Sequence, residues 1–392
     1  MPGTLSIYPV KQRFTLDGSA ELEQELELLC QRVRQAVLNL VPREKLEALV
    51  LGGGYGRGQG GVLQTEDGGE APYNDLEFYA FLRGSYLANA RRFHAGFQQL
   101  EKDLSRDAGL HVEFKVDSLE KLRAGPVSIF SYDLVIGHRV FVGGDAVFDG
   151  CEQHADAANI PASEATRLLL NRCSGLLLAK ELLLKNRLNA DESDFIGRNL
   201  AKAQLALGDA LLALDGKYHW DCLERSRRLR AFQRAGVPPF FHRVLRHHSA
   251  GVRFKFHPCR RQKDLEQFRR EHQELTVLAL EEWLWIENER LHTGFRDFRE
   301  YSFSSVNKCA ASGFWRNLVL NLRTFGAGAM LDRNAARYPR QRLLNALPLL
   351  LSGRLVLEEP PTRRHLQNQL HTRAEDWPRL VAAYKRLWNC YG

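Results

Sequence analysis

The 392-residue chain lacks the cysteine pattern of a disulfide framework or a structural zinc site. Its seven cysteines (Cys30, Cys151, Cys173, Cys222, Cys259, Cys309, Cys390) are scattered, none forms Cys-x-x-Cys, and their number is odd. That usage predicts reduced thiols and a cytoplasmic protein. Long hydrophobic runs are also missing: Leu347 to Leu351 is short and is followed by Gly353 and Arg354, far below the roughly 18 residues a bilayer requires. No membrane partner is expected. Met1 to Phe14 carries no apolar stretch of the kind a secretory signal needs, so none is expected there. No fixed-period repeat and no low-complexity tract occurs. What the chain does have is 44% hydrophobic and 26% charged residues, the balance of a packed protein and not of a disordered one. Lys and Arg (55) exceed Asp and Glu (47), giving a net charge of +8 and a mild preference for anionic partners. At roughly 150 residues per domain the length predicts two or three domains.

The texture changes along the chain. Leu22, Leu26, Leu29, Val33, Val37 and Leu40 recur at helical spacing. Ala48 to Leu51 reads as a short strand ending in glycines, Asp75 to Leu82 alternates as a strand, Tyr86 to Leu104 reads as a helix, and His111 to Val116 as another strand. Ser128 to Val142 reads as two strands around a turn at Gly137 and His138. After Pro161 the pattern is helical almost throughout. The expected organisation is an α/β (α+β) domain with a mixed sheet over residues 1–150, followed by an all-α domain over residues 151–392.

The most informative stretch runs from Leu49 to Phe81. A strand leads into Gly52-Gly53-Gly54-Tyr55-Gly56-Arg57-Gly58, and a polar segment then leads to Asn74-Asp75-Leu76-Glu77-Phe78. Glycines after a strand let backbone N–H groups approach phosphate oxygens without obstruction by Cβ. Arg57 adds a planar, permanently charged group. Asp75 and Glu77, at i and i+2 of a strand, point to one face, while Leu76, Phe78 and Ala80 point to the other. Adjacent carboxylates repel, and Mg²⁺ relieves such a pair while binding substrate phosphates. Glu113, alternating with Val112 and Phe114, is the best third acid. Asp117 shares its face about 13 Å further along at strand rise, so one of the two can join the site.

Other readings fit less well. Gly56-x-Gly58-x-x-Gly61 matches the dinucleotide-binding spacing, but it begins several residues after the strand and is followed by a poor helix start. A kinase-type glycine loop lacks its lysine strand and its catalytic signatures. An acid pair on a strand, taken alone, reads as a solvated face; the glycine turn before it and Glu113 after it favour the metal site.

Gly53-Gly54-Tyr55-Gly56-Arg57-Gly58, Asp75-x-Glu77 and the later Glu113 together resemble the nucleotidyltransferase fold of the DNA polymerase β superfamily, in particular its minimal and aminoglycoside nucleotidyltransferases. Val112-Glu113-Phe114-Lys115-Val116 is similar to the third-acid strand of the streptomycin/spectinomycin adenylyltransferases, which also carry a helical C-terminal domain. Gly54 stands where the family often has Ser. The gap to Asp75 is longer than usual, and its polar filling, Gly60 to Tyr73, reads as a flexible flap. The resemblance implies a magnesium-dependent transferase that moves a nucleoside monophosphate from a nucleoside triphosphate, ATP being the first choice, to a hydroxyl. A small-molecule acceptor comes first, a protein or RNA end second. Asp75, Glu77 and Glu113 would be the catalytic, metal-holding acids for two Mg²⁺ ions. Gly53, Gly54, Tyr55, Arg57, Lys115 and Arg172 would contact the nucleotide.

Arg172 lies on the apolar side of its helix among Leu168, Leu176, Ala179 and Leu183. Such an arginine needs an acid or a phosphate partner, so it either reaches the nucleotide or forms a buried ion pair with the first domain. The segment from Arg225 to Lys263 holds twelve Lys or Arg and no acid, interleaved with phenylalanines and histidines. It reads as an RNA-contacting surface, the basis of an alternative in which the protein is a catalytically silent nucleotide- or RNA-binding module. It also reads as a basic face paired with acids such as those of Glu271 to Glu289. Trp283, Trp285 and Phe295 fit a helical core, and Trp377, Trp388 and Tyr391 a docked C-terminus.

Overall fold

The computed structural model describes residues 13–232, 236–260, 264–309, 313–328, 334–353 and 358–392. The chain divides into two compact units. The head unit comprises Met1–Pro161, Asp215–Phe232 and Ser249–Cys259, and the helical unit comprises Ala162–Leu214, Gln233–His248 and Arg260–Gly392. The expected single boundary at residue 150 is therefore corrected: the head extends to Pro161 and takes back two later stretches.

The head opens with helix α1 (Ala20–Leu40), capped by Ser19, whose Oγ accepts from Leu22 N at 3.2 Å. Strand β1 (Leu46–Leu51), the one-turn helix α2 (Gly53–Gly56), strands β2 (Gly61–Gln64), β3 (Glu70–Tyr73) and β4 (Asp75–Leu82), helix α3 (Tyr86–Ala108) and strand β5 (His111–Asp117) follow. Helices α4 (Leu119–Ala124) and α5 (Ile129–Ile136) precede strand β6 (Arg139–Val142). Four strands form a mixed sheet in the order β5-β4-β1-β6, with β4 and β5 parallel and β1 antiparallel to both β4 and β6.

Period-2 alternation gives the sheet two apolar faces. Leu49, Leu51, Leu76, Phe78, Ala80, Val112 and Phe114 pack with the α1 stripe (Leu22, Leu26, Leu29, Val33, Val37) and with Phe93 and Phe97 of α3. Each such fully buried side chain is worth about 1.5–3 kcal/mol. Ala48, Val50, Tyr79 and Phe81 pack on the other face with Leu119, Leu134, Val135 and Phe148. That second core ends at Tyr79, so Asp75 and Glu77 lie beyond it on the same face.

Two local expectations are overturned. Residues 129–136 form a helix, not a strand: Ser128 Oγ accepts from Ser131 N (3.0 Å) and Ser131 Oγ accepts from Ser128 N (2.9 Å). This reciprocal cap starts a helix whose Leu134 and Val135 bury against the sheet, overriding the β-propensity of an apolar run. The presumed flap is an antiparallel hairpin of β2 and β3. The Tyr55 hydroxyl pins it, donating toward Gly61 O (2.9 Å) and Tyr73 O (3.1 Å) and accepting from Tyr73 N (2.7 Å).

Helix α8 (Cys222–Arg230) and the residues of α9 (Phe241–Phe256) from Ser249 onward complete the head. The helical unit contains α6 (Ser163–Leu183), α7 (Ala190–Leu214), α10 (Leu265–Leu291), α11 (Phe298–Phe303), α12 (Phe314–Phe325), α13 (Arg340–Ser352), α14 (Pro360–Leu370) and α15 (Trp377–Tyr391). Helices α6, α7 and α10 pack together, and α13 packs on α6, α11, α14 and α15. Trp283 is fully buried, as expected, and Trp377 donates its Nε1–H to Leu350 O at 3.0 Å, docking α15. No helix among the described residues is long and apolar enough to cross a membrane. None of the seven cysteines is in a disulfide.

Because Tyr55 is buried and its hydroxyl serves three backbone groups, Tyr55→Phe strands buried polar atoms. We expect a loss of about 2 kcal/mol in urea unfolding, together with faster amide exchange confined to β2 and β3.

Candidate active site

The glycine turn is a packing requirement before it is anything else. Gly52 N donates to Glu77 O at 2.9 Å, tying the turn to β4. Gly53 adopts φ +63°, and a Cβ there would meet Glu77 Oε1 at 2.9 Å. A Cβ on Gly56 would fall 2.2 Å from Leu51 O, a backbone atom that cannot move aside. The α2 turn therefore lies directly against the Glu77 carboxylate, and its first amides, at Gly53, Gly54 and Tyr55, are those that a helix leaves without an intrahelical acceptor.

The parallel register sets Glu77 opposite Glu113 and Tyr79 opposite Lys115. Asp75 is two residues before Glu77 on the same face, and its Oδ1 accepts from the Asn74 amide. Asn74 itself is left-handed at φ 85°, a conformation asparagine tolerates. Lys115 Nζ bridges the two glutamates, 3.1 Å from Glu77 Oε2 and 3.3 Å from Glu113 Oε2, and lies 3.3 Å from the Tyr79 hydroxyl. It also stands over the Tyr79 and Phe130 rings, 5.3 and 5.9 Å from their centroids. The Tyr79 hydroxyl donates to Glu77 Oε2 at 2.8 Å. Burial pushes the Glu77 carboxyl up, but the Lys115 ammonium and the bonds from Tyr79 and Lys115 outweigh it and hold the group below its usual range. Lys115 is driven down by burial and further up by Glu77 and Glu113, ending above its ordinary value. Burial, then the Glu77 charge, drives the Tyr79 phenol up, so it stays protonated and donates.

The register separates the two candidate acids of β5. Glu113 faces Glu77. Asp117 pairs with Phe81 at the far end of β5, where its Oδ1 accepts from Ser118 N (2.9 Å) and pairs with Lys121 Nζ (2.9 Å). Asp117 is thus occupied in starting α4.

The remaining expected contacts are distributed differently. Arg57 is largely buried, with Nη1 3.2 Å from Asp133 Oδ2 of α5 and its Nε buried without a hydrogen-bond partner. The Tyr55 side chain is 2% exposed and serves the hairpin, so only its backbone can face a nucleotide. Arg172 belongs to the helical unit, half-buried on α6, where it donates to Asn171 Oδ1 at 3.2 Å.

A residue that sequence reasoning missed is Lys255 of α9. A Cβ on Gly54 would lie 3.4 Å from Lys255 Nζ, so this ammonium stands beside the turn. Burial first, and the Arg57 charge second, lower its pKa to about 8. Its sole signal in the sequence was membership of the basic segment. The rest of that segment is largely engaged. Arg225 is buried and donates to His219 O (2.7 Å) and Trp220 O (3.0 Å). Arg227 and Arg228 share Glu224, at 2.6 and 2.7 Å. Arg243 pairs with Glu281 at 2.8 Å, and His257 with Asp17 at 3.3 Å. Phe232 and Phe256 are buried. Several of the segment's described cations are thus paired within the protein; Arg234, Arg261 and Lys263 lie outside the described residues.

The carboxylates of Asp75 and Glu77 on β4 and of Glu113 on β5 offer hard oxygen donors of the kind Mg²⁺ takes. Among the described residues no three His, Cys, Asp or Glu side chains are already gathered as a metal cluster. Lys115 fills the place between Glu77 and Glu113 in this conformation. Compared with known proteins, the chain matches no family model and no curated sequence.

Glu77, held below its ordinary value of 4.5, contributes stability that is present above that value and is lost as pH falls through the lower folded one. In Lys115→Met the largest influence opposing burial is lost, leaving only the Tyr79 bond and the Arg57 charge, and the Glu77 pKa rises. We expect the variant to be less stable than wild type at pH 7, with the difference shrinking as pH falls toward 4, in urea unfolding across that range. An unchanged difference at all pH values overturns the assignment.

Proposed function

We propose that the head unit is a nucleotidyltransferase of the DNA polymerase β type, which moves a nucleoside monophosphate from a nucleoside triphosphate, ATP first, to a hydroxyl of a small molecule. A protein or RNA end is the second acceptor class. The observation that carries this reading is the in-register pair Glu77/Glu113, with Asp75 on the same face, packed against a turn in which Gly53 needs to be glycine.

Asp75, Glu77 and Glu113 are the residues that would hold Mg²⁺, and Lys115 is the group that must swing aside for them to do so. When bound, such ions neutralise phosphate charge and stabilise both the attacking and the leaving oxygens of an in-line displacement. The chain's own groups supply the rest. The turn amides and Lys255 face the triphosphate side, where a fixed positive charge offsets the growing charge on pyrophosphate. Arg57, clamped by Asp133, adds a second positive charge there without having to reorganise. Glu113, across from Glu77, is the carboxylate available to take the acceptor hydroxyl's proton, which requires hydrogen-bond reach of that oxygen. Tyr79 stays protonated and holds Glu77 in place.

The pairing of Arg227, Arg228 and Arg243 with acids of the chain, among the described residues, supports this reading over a silent RNA-binding module.

Incubation with labelled nucleoside triphosphates and cell extract tests the proposal: label on a small metabolite, a protein band or an RNA band identifies the acceptor class, and no transfer with any nucleotide overturns it. Asp75→Asn and Glu77→Gln are each expected to lower kcat/KM about a thousandfold, ~4 kcal/mol, with fold retained by circular dichroism. Lys255 titrates near pH 8 and binds phosphate only when protonated. Triphosphate affinity should therefore weaken as pH rises through about 8, and in Lys255→Met this dependence should disappear, as measured by calorimetry between pH 6.5 and 9.

A further inference from the structure

The helical unit contains a cavity of about 890 Å³ that the proposed transfer does not use. It lies between α11, α14 and the segment leading into α13. Its lining includes two guanidinium groups, Arg337 and Arg373, and two imidazoles, His365 and His371, with no carboxylate among the described residues. The wall between these cations is built of amides and hydroxyls, not of aliphatic side chains.

The amide floor is preset. Lys308, 2% exposed, donates to Asn345 Oδ1 at 2.7 Å, which turns the Asn345 amide so that its Nδ2 donates to Gln369 Oε1 at 3.2 Å. Asn334 Nδ2 lies 3.4 Å from the same oxygen. Burial, only partly offset by the Glu287 charge, lowers the Lys308 pKa to about 8, a further sign that this floor is kept from water. Ser302 also lines the cavity, is 1% exposed, and its Oγ is buried without a hydrogen-bond partner. Buried hydroxyls are rarely left unbonded, so this atom points to a partner that enters the cavity.

The lining also indicates what that partner is. Preset amides and a free hydroxyl match a ligand rich in hydroxyl groups, each of which donates and accepts. Guanidinium groups with no acid among the described lining residues match a phosphate. Phe303 is stacked on His365 at 4.0 Å and 15°, and Arg299 Cζ lies 5.8 Å from the Phe303 ring centroid, so the ring is already engaged and is no open stacking platform for a nucleobase. The volume lies within the range of small-molecule sites.

We propose that this cavity is a binding site for a phosphorylated sugar, with Arg337 and Arg373 on the phosphate and Ser302, Asn334, Asn345 and Gln369 on the hydroxyls. It is independent of the nucleotidyl-transfer reading and stands or falls without it.

The test is calorimetry and thermal shift on the full chain. The ligands are hexose 6-phosphates, hexose 1-phosphates and pentose 5-phosphates, set against the parent sugars, inorganic phosphate and nucleoside monophosphates. At least one sugar phosphate should bind in the submillimolar range, about tenfold or more tighter than its parent sugar and than phosphate alone. Arg373→Met, at an exposed position, and Arg337→Met should each weaken it about tenfold. Arg337 also donates to Ser305 O at 3.0 Å, so its variant needs a folding check, whereas the Arg373 variant does not depend on that bond. Ser302→Ala should leave the ligand-free melting temperature unchanged or raised, because it removes an unbonded hydroxyl, and should still weaken binding. No sugar phosphate binding below millimolar concentration overturns the proposal. So does binding that Arg373→Met and Ser302→Ala leave intact, or a preference for phosphate alone or for nucleoside monophosphates.

Discussion

Two like charges set opposite each other on neighbouring strands are a liability that a sheet tolerates only with compensation. The parallel pairing of β4 and β5 creates that situation at Glu77 and Glu113, and much of the head is arranged around it. Lys115 supplies the opposite charge two residues further along the same strand face. Tyr79 fixes one carboxylate oxygen, and Gly53 gives up its side chain so that the turn can close on the other. The second core stops at Tyr79, leaving the acids on the open end of a face otherwise covered by α4 and α5. A sheet with no task at that end would bury an apolar pair there at less electrostatic cost.

Positive charge is concentrated beside this acidic pair by residues distant in the chain. Arg57 stays next to the turn because Asp133 of α5 pairs with it, and Lys255 arrives from α9. Lysine burial is costly, and the lowered pKa of Lys255 records that cost. Under the proposed function, an anion beside the turn would offset the Arg57 charge that helps lower the Lys255 pKa.

The helix α1, the strands β1, β4 and β5 and the facing of Asp75 and Glu77 were legible because period-2 and period-3.6 patterns are written locally. Glu113 was already the better third acid from its alternation with Val112 and Phe114, but its place opposite Glu77 was not legible, since that depends on the register of a non-local pair. Helix α5 was misread because its apolar, β-branched and aromatic residues match a strand, while the decisive signal, the reciprocal Ser128–Ser131 cap, is only two serines three residues apart. The hairpin over residues 61–73 was misread for the opposite reason: its polar, glycine-rich composition hid a buried anchor, the Tyr55 hydroxyl, that lies outside it. Lys255 could not be placed at all, because nothing near position 255 announces which surface it will return to. The basic segment shows the same limit: its charge excess is plain in the sequence, but its partners Glu224, Glu281 and Asp17 are not.

The head is assembled from three separate lengths of chain, the last ending at Cys259. A ribosome making it has released every sheet strand long before the helix that carries Lys255 emerges. Roughly 100 residues separate these events, on the order of ten seconds at bacterial-like elongation rates. During that interval the nascent sheet carries its paired acids and Lys115 but still lacks Lys255 beside the glycine turn. The order of synthesis thus places the finishing of this site after most of the protein has been built, and it forbids excising the head as a simple N-terminal fragment.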